Sequence, residues 1–294
     1  MSRTAGSRAA FWLALLVAAL AMAASGAGLL CGRGSGPWEF FTLRGGVARM
    51  FGRGLYRYDT LLTGAGFRGQ DLATLSLGVP ALVLAAALHR RGSLRGSALL
   101  LGVLGWFLYA YASMSLGAAY NPLFLLYVAL FSASFFALAA TFASLELDAG
   151  RLPRRGPAVF LFAGGALTLV VWLAPLLQAL AAGRPPKLLA SYTTLVTDVL
   201  DLGLITPAAI MGGILILHRS ALGYRIAFAL LGIILFLLPA IVLSTVFQLR
   251  AGVDFTAGEV IGPIAGFAAL GLSAVWVLAA IVSKIPAVNR KAGG

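Results

Sequence analysis

The sequence predicts an all-α integral membrane protein of eight transmembrane helices, with the N- and C-termini both cytoplasmic. Three observations predict it. Hydrophobic residues make up 61% of the 294 positions and charged residues only 11%, too few to cover a soluble domain of that size. Eight apolar stretches reach the roughly 20 residues that cross a hydrocarbon core. Basic residues gather on alternate connections, as the positive-inside rule requires of cytoplasmic loops. Almost everything between the stretches is short, so 1–294 reads as a single integral membrane domain.

The stretches run 9–30, 72–89, 97–117, 122–144, 157–181, 199–218, 222–247 and 261–283. The first follows Arg3 and Arg8. Its apolar run of about 20 residues exceeds the ~7–15 of a signal-peptide core, so a retained helix is expected. Cys31, in GLLCG, lacks the small residue that precedes a lipidated cysteine. As the only cysteine it excludes an internal disulfide and a cysteine-based metal site. No H-E-x-x-H, P-loop or G-x-S-x-G occurs, so neither metal nor cofactor is expected.

Between the first two stretches lies a long external loop, 31–71. In VARMFGRGLYRYD, Arg49, Arg53 and Arg57 stand four apart, and Val47, Met50, Phe51 and Leu55 supply apolar contacts. That pattern predicts a short helix lying in the outer interface, which Gly52 and Gly54 oppose. The loop ends FRGQD, placing Arg68 and Gln70 beside Asp71. It reads equally as a lid over an outer mouth or as a solvated loop pairing with lipid headgroups.

The second and sixth stretches share scarce residues. Asp71 lies nine before Pro80 and Asp198 nine before Pro207, and each stretch ends in His-Arg, at His89-Arg90 and His218-Arg219. In the fourth and eighth, counted from Pro122 and Pro263, Ser132-Ala133 matches Ser273-Ala274 and Phe135 matches Trp276. Two parallel four-helix halves, 1–150 and 151–294, are expected, related by an axis along the membrane normal. Gly164-Gly165, Gly212-Gly213 and Gly262-x-x-x-Gly266 are expected to bring helices into close contact.

The net charge of +13 invites a nucleic-acid reading, but its placement opposes one. Cytoplasmic segments carry Arg3, Arg8, Arg90, Arg91, Arg95, Arg151, Arg154, Arg155, Arg219, Arg225, Lys284, Arg290 and Lys291. Outside the long loop, the outer segments hold only Arg184, Lys187 and Arg250. The basic excess is mostly topological. Arginine outnumbers lysine, and alanine and glycine abound, which suggests a GC-rich bacterium and its cytoplasmic membrane.

The candidate site lies at the outer ends of the helices. Asp71 and Asp198 are expected at helix N-termini, where the dipole favours an acid. Asp201 sits one turn deeper, about 4.5 Å, on the face of Asp198. An ionisable residue inside a membrane is a functional candidate by default. Tyr109, Tyr111, Tyr120 and Asn121 collect at the end of the third stretch, and Asn121-Pro122 reads as a helix N-cap. The simpler reading of these residues is interfacial tyrosines and caps. Expected partners of Asp201 are Tyr109, Tyr111, Arg68, Gln70 or a bound cation.

The stretches LYRYDTLLTGAGFRGQDL and YNPLFLLYVALFSASFFAL resemble segments of uncharacterised bacterial polytopic inner-membrane proteins of about eight helices. The resemblance covers about a fifth of the chain and implies a membrane location, with no activity attached.

The leading functional expectation is binding or transport of a small solute or cation through an outward-facing polar pocket, with Asp198 and Asp201 as binding carboxylates. A membrane enzyme acting on a lipid or lipid-linked substrate at the outer leaflet is one alternative. An assembly or sensory subunit without substrate is another. The inner halves ALVLAAAL and AAIMGGILIL offer no polar path, which weighs against transport. Membrane lipids are the expected partners.

Overall fold

The computed structural model describes residues 3–286; Arg290 and Lys291 lie outside them. Among the described residues, eight helices are long and apolar enough to cross a membrane. They are α1 (Arg3–Leu30), α2 (Leu61–Arg90), α3 (Leu94–Gly117), α4 (Phe124–Ser144), α5 (Arg155–Ala181), α6 (Val196–Leu217), α7 (Ala221–Arg250) and α8 (Ala257–Val282). The chain is a multi-pass membrane protein. Both described ends lie at one face of the bundle, where Arg95 Nε donates to the Ile285 carbonyl at 2.7 Å. His89 lies at the same face, bridging Ser97 Oγ at 2.8 Å and Ser7 Oγ at 2.9 Å. This is the terminal end; the opposite face is the hairpin end.

Two expectations fail at the hairpin end. Helix α2 begins at Leu61, eleven residues before the predicted start. Its first turns are too polar to read as a span, yet the protein satisfies them. Arg68 Nη2 donates to the Leu29 carbonyl at 2.8 Å, and Ser244 and Gln248 of α7 donate to the Gly66 and Leu62 carbonyls. Gly69 lets α2 touch the α7 backbone at Ser244. The interfacial helix is likewise absent. Trp38–Phe41 (β1) and Val47–Met50 (β2) form an antiparallel hairpin, Trp38 opposite Met50. Gly52 (φ +70°) and Gly54 (φ +60°) then turn the chain through left-handed backbone that a helix excludes. Arg49 Nη1 reaches the Gly252 carbonyl at 3.1 Å instead of flanking Arg53 and Arg57 on a helical face.

Helices α2 and α6 share an irregularity. Thr74–Gly78 starts three residues after Asp71, Asp201–Ile205 starts three after Asp198, and both are π-helical. Each stops two short of its proline. Pro80 and Pro207 have no N–H to continue an α-helical ladder. The wider turn leaves the N–H groups of Val79 and Thr206 bonded five residues back, to Thr74 and Asp201. The histidines do not follow this register. His89 lies nine after Pro80, whereas His218 lies eleven after Pro207.

In the first half, each of α1 to α4 packs on the next and α4 closes back on α1. In the second, α5–α6, α6–α7 and α7–α8 pack alike, but α8 touches α5 only sparsely. The buried apolar residues divide accordingly. One cluster draws mainly on α1 to α4; the other draws mainly on α5 to α8, with Ala98 and Leu101 of α3 and Leu145, Ala149 and Leu152 of the α4–α5 connection. The two groups join where α2 and α3 pack on α7, and α3 crosses it most closely. There Gly102 abuts Gly232 and Gly105 abuts Ala229, backbone against backbone. Gly102 and Gly105 lie nine and twelve residues after the N-cap Ser93. Ala229 and Gly232 lie nine and twelve after the N-cap Ser220. Exchanging the halves therefore turns one contact into the other.

Candidate functional site: a cleft and two buried acid clusters

The gap between α5 and α8 is a cleft of about 960 Å³ bounded by α5, α6, α7 and α8. Its walls are apolar, from residues such as Phe160, Leu161, Val171, Leu230, Ile234 and Phe267. Along α5 the lining runs from Phe160 to Gln178, about 27 Å at ~1.5 Å per residue, close to the hydrocarbon thickness. Gly262 and Gly266 of α8 line it too, and a Cβ on either would meet nothing within 4 Å. These two glycines do not cement a helix pair as expected; they leave space. Gly165, Gly212 and Gly213 do mediate close packing, against Ala209, Ile226 and Phe162 respectively.

Polar groups concentrate at the hairpin end of the cleft. Asp198 stands in the first turn of α6, and Asp201 begins its π-helical turn. Both carboxylates are buried and both line the cleft. Tyr109 of α3 and Trp172 of α5 lie within hydrogen-bonding reach of Asp201, and Thr197 Oγ1 donates to Asp198 Oδ1 at 3.3 Å. Above them Arg184 and Lys187, from the connection between α5 and α6, rim the mouth. Lys187 Nζ is 4.0 Å from Glu259 Oε1, at the start of α8. No residue of 31–71 lines the cleft, so the long connection is not its lid.

Asp71 belongs to a different place. It lies ten residues inside α2, not at a helix N-terminus, and is 2% exposed. The Tyr56 hydroxyl donates to Asp71 Oδ2 at 2.7 Å, and Ser25 of α1 is within bonding reach. Tyr127 extends the chain of hydroxyls to Tyr56 at 3.5 Å, and Tyr111 lies 3.4 Å from Ser25 Oγ. Gly28 makes room, since a Cβ there would overlap Asp71 Oδ2. Burial, with the adjacent Asp71 carboxylate second, holds the Tyr56 hydroxyl well above the ordinary phenol range. Tyr111 is thus a neighbour of Asp71, not of Asp201.

A fourth acid, Asp59, is fully buried beside this cluster. Its Oδ1 accepts from the Ala119 N–H at 2.8 Å and from the Tyr192 hydroxyl at 3.0 Å, while Oδ2 has no partner. Burial pushes its carboxyl up to about 7, against the two hydrogen bonds. Tyr192 also accepts from the Thr60 N–H at 3.2 Å, and its carbonyl accepts from Arg44. Through Tyr192 the α5–α6 connection is pinned to the first half. Burial, then the Asp59 carboxylate, raises the Tyr192 phenol.

The expected site residues therefore separate. Asp198, Asp201 and Tyr109 meet at the cleft. Asp71 and Tyr111 meet in the closed cluster, with Arg68 close enough to act on Asp71 electrostatically and lying over the Phe247 ring. Asn121 is buried against Tyr127 and closes a turn, its Oδ1 accepting from the Leu123 N–H at 2.9 Å. It does not cap the helix, which starts at Phe124. Tyr120 is exposed against Phe124, and Gln70 is half-buried without a side-chain hydrogen bond among the described residues. Sequence reasoning missed Ser25, Tyr56, Asp59, Tyr127, Trp172 and Tyr192. Only Tyr56 and Asp59 carried a signal, as a tyrosine and an acid in a stretch read as a basic helix. Among the described residues no group of three His, Cys, Asp or Glu is arranged to hold a metal ion. No family model, curated protein or solved structure matches the chain.

Proposed function

We propose that the protein binds a lipid-like amphiphile, with its chain along the apolar walls of the α5–α8 cleft and its polar head at Asp198 and Asp201. The carrying observation is the shape and lining of the cleft: nearly a bilayer thickness of apolar wall beneath a charged rim. A small hydrated solute or cation, the leading expectation from sequence, fits less well. Beyond Asp201 the walls offer almost no polar ligands, and dehydration would go uncompensated. A lipid loses nothing there, because its tail exchanges one apolar surface for another.

The register of the two π-helical turns, the exchange-related glycine contacts and the divided core support two parallel four-helix halves. In that reading the first half is sealed by its own Tyr56 and the second is open. The arginine asymmetry supports a bacterial cytoplasmic membrane with the hairpin end outside. Leu43 is fully exposed at the hairpin, and the Arg151 side chain is 78% exposed at the terminal end. In a Cys31→Ser background, an impermeant thiol reagent should label Leu43→Cys in intact cells and spare Arg151→Cys. The reverse pattern would overturn the orientation.

Gly266→Phe tests the binding reading directly. The added ring enters open space, so thermal stability in detergent should hold. It fills space that the tail would occupy, so retention of a bound amphiphile should fall. Native mass spectrometry of the purified protein should show a retained lipid in the wild type and little in the variant. Equal retention by both, or none by either, would sink the reading.

A further inference from the structure

We propose, resting on the amphiphile reading above, that the bound molecule is a monoacyl glycerophospholipid. Its free glycerol hydroxyl would donate to the Asp198–Asp201 pair, and its phosphate would meet Arg184 and Lys187. The order of charges in the cleft carries this. Measured from the hairpin end, the cations come first, on the connection ahead of α6. Asp198 follows in the first turn of α6, and Asp201 lies one turn deeper, beside Trp172 of α5. Below Trp172 the α5 lining continues to Phe160, about 18 Å of largely apolar wall. A ligand whose tail fills those walls must present a hydrogen-bond donor next to the tail and an anion beyond it. A zwitterionic diacyl phospholipid has the opposite order, with phosphate inside and ammonium outside. A lysophospholipid has the required one.

The first half shows what an acid in this setting holds. Asp71, placed before its π-helical turn as Asp198 is before its own, accepts a hydroxyl, that of Tyr56, at 2.7 Å. In the second half Tyr109 reaches Asp201, one turn deeper, while Asp198 has only its neighbour Thr197 Oγ1 at 3.3 Å, and a cleft stands beside both acids. The backbone that carries the rim cations is anchored. Pro185 and Pro186 restrict the backbone next to them. Tyr192, five residues after Lys187, fastens the connection to Asp59 and Thr60.

The test compares three probes on the intact protein in non-ionic detergent, titrated by native mass spectrometry. They are 1-acyl lysophosphatidic acid, its 2-O-methyl ether and the matching monoacylglycerol. Methylation removes the donor, and the glycerol lacks the phosphate. Each change should weaken wild-type binding by about 10- to 100-fold, as expected for a hydrogen bond to a charged group. The methylation effect should vanish in Asp198→Ala. The phosphate effect should vanish in Arg184→Ala/Lys187→Ala, two exposed positions whose loss leaves the fold intact. Indifference to methylation, or the same losses in the variants, would overturn the headgroup assignment while the cleft still binds. Preference for a diacyl phosphatidylethanolamine would overturn it as well. If no probe binds wild type more tightly than Gly266→Phe, the amphiphile reading itself fails, a separate and recognisable result.

Discussion

Gly28→Ala is expected to lower the stability of the detergent-solubilised protein by about 2–4 kcal/mol, from overpacking together with a buried hydrogen bond forced open. The added methyl would occupy the position of Asp71 Oδ2 and come within 2.7 Å of the Tyr56 hydroxyl. Neither group can retreat into solvent, because Asp71 and Tyr56 are 2% and 1% exposed. The Tyr56–Asp71 hydrogen bond must open, which leaves an acid without its donor among Ser25, Tyr111 and Tyr127. Asp71→Asn is the milder change. The amide oxygen still accepts from Tyr56, so about 1 kcal/mol is expected. Thermal unfolding followed by near-ultraviolet circular dichroism reports both, since four tyrosines and two phenylalanines pack in this region. A silent Gly28→Ala would show that the cluster is not what closes the first half. Lipid retention by the second-half cleft should be unchanged at the highest temperature where the variant stays folded.

Gly232→Ala should lower the unfolding midpoint by roughly 5–10 °C. Overpacking a tight contact costs about 1–3 kcal/mol or more, and a chain of this size shifts by about 2–4 °C per kcal/mol. The new Cβ would overlap the Gly102 backbone, oxygen and carbons alike. A side chain in that place could rotate aside; a backbone cannot, so α3 and α7 must separate. Gly102→Ala should be gentler, because its Cβ would meet Phe228 O at 3.0 Å and Gly232 Cα at 3.4 Å. Gly262→Ala supplies the control. It meets nothing within 4 Å, and alanine is the better helix former by about 0.8–1 kcal/mol. Wild-type stability in Gly232→Ala would mean that the α3–α7 crossing is not a backbone contact and that no exchange-related glycine pair joins the halves.

The eight helices were legible from residue order alone, for a reason particular to membranes. With no water in the hydrocarbon to take up backbone N–H and C=O groups, an apolar run of bilayer length has one available form. The proline register of α2 and α6 was legible too, because proline restricts the backbone wherever it stands. The burial of Asp201 followed from the high energy of a carboxylate facing acyl chains.

Residue order did not disclose which polar residues meet. Arg68 and Asp71 read as loop because their helix becomes tolerable only after Leu29, Tyr56 and Ser25 arrive from elsewhere to satisfy them. Arg49, Arg53 and Arg57 had helical spacing, but two left-handed glycines and a strand partner decided otherwise. Small residues carry the same ambiguity. Gly232 and Gly262 look alike in sequence, yet one bears a backbone contact and the other borders empty space. A missing side chain permits close approach without supplying a neighbour. Tertiary packing alone decided that α1 would close on α4 while α5 and α8 stood apart, and with that, which of the two acid sites would border a cleft.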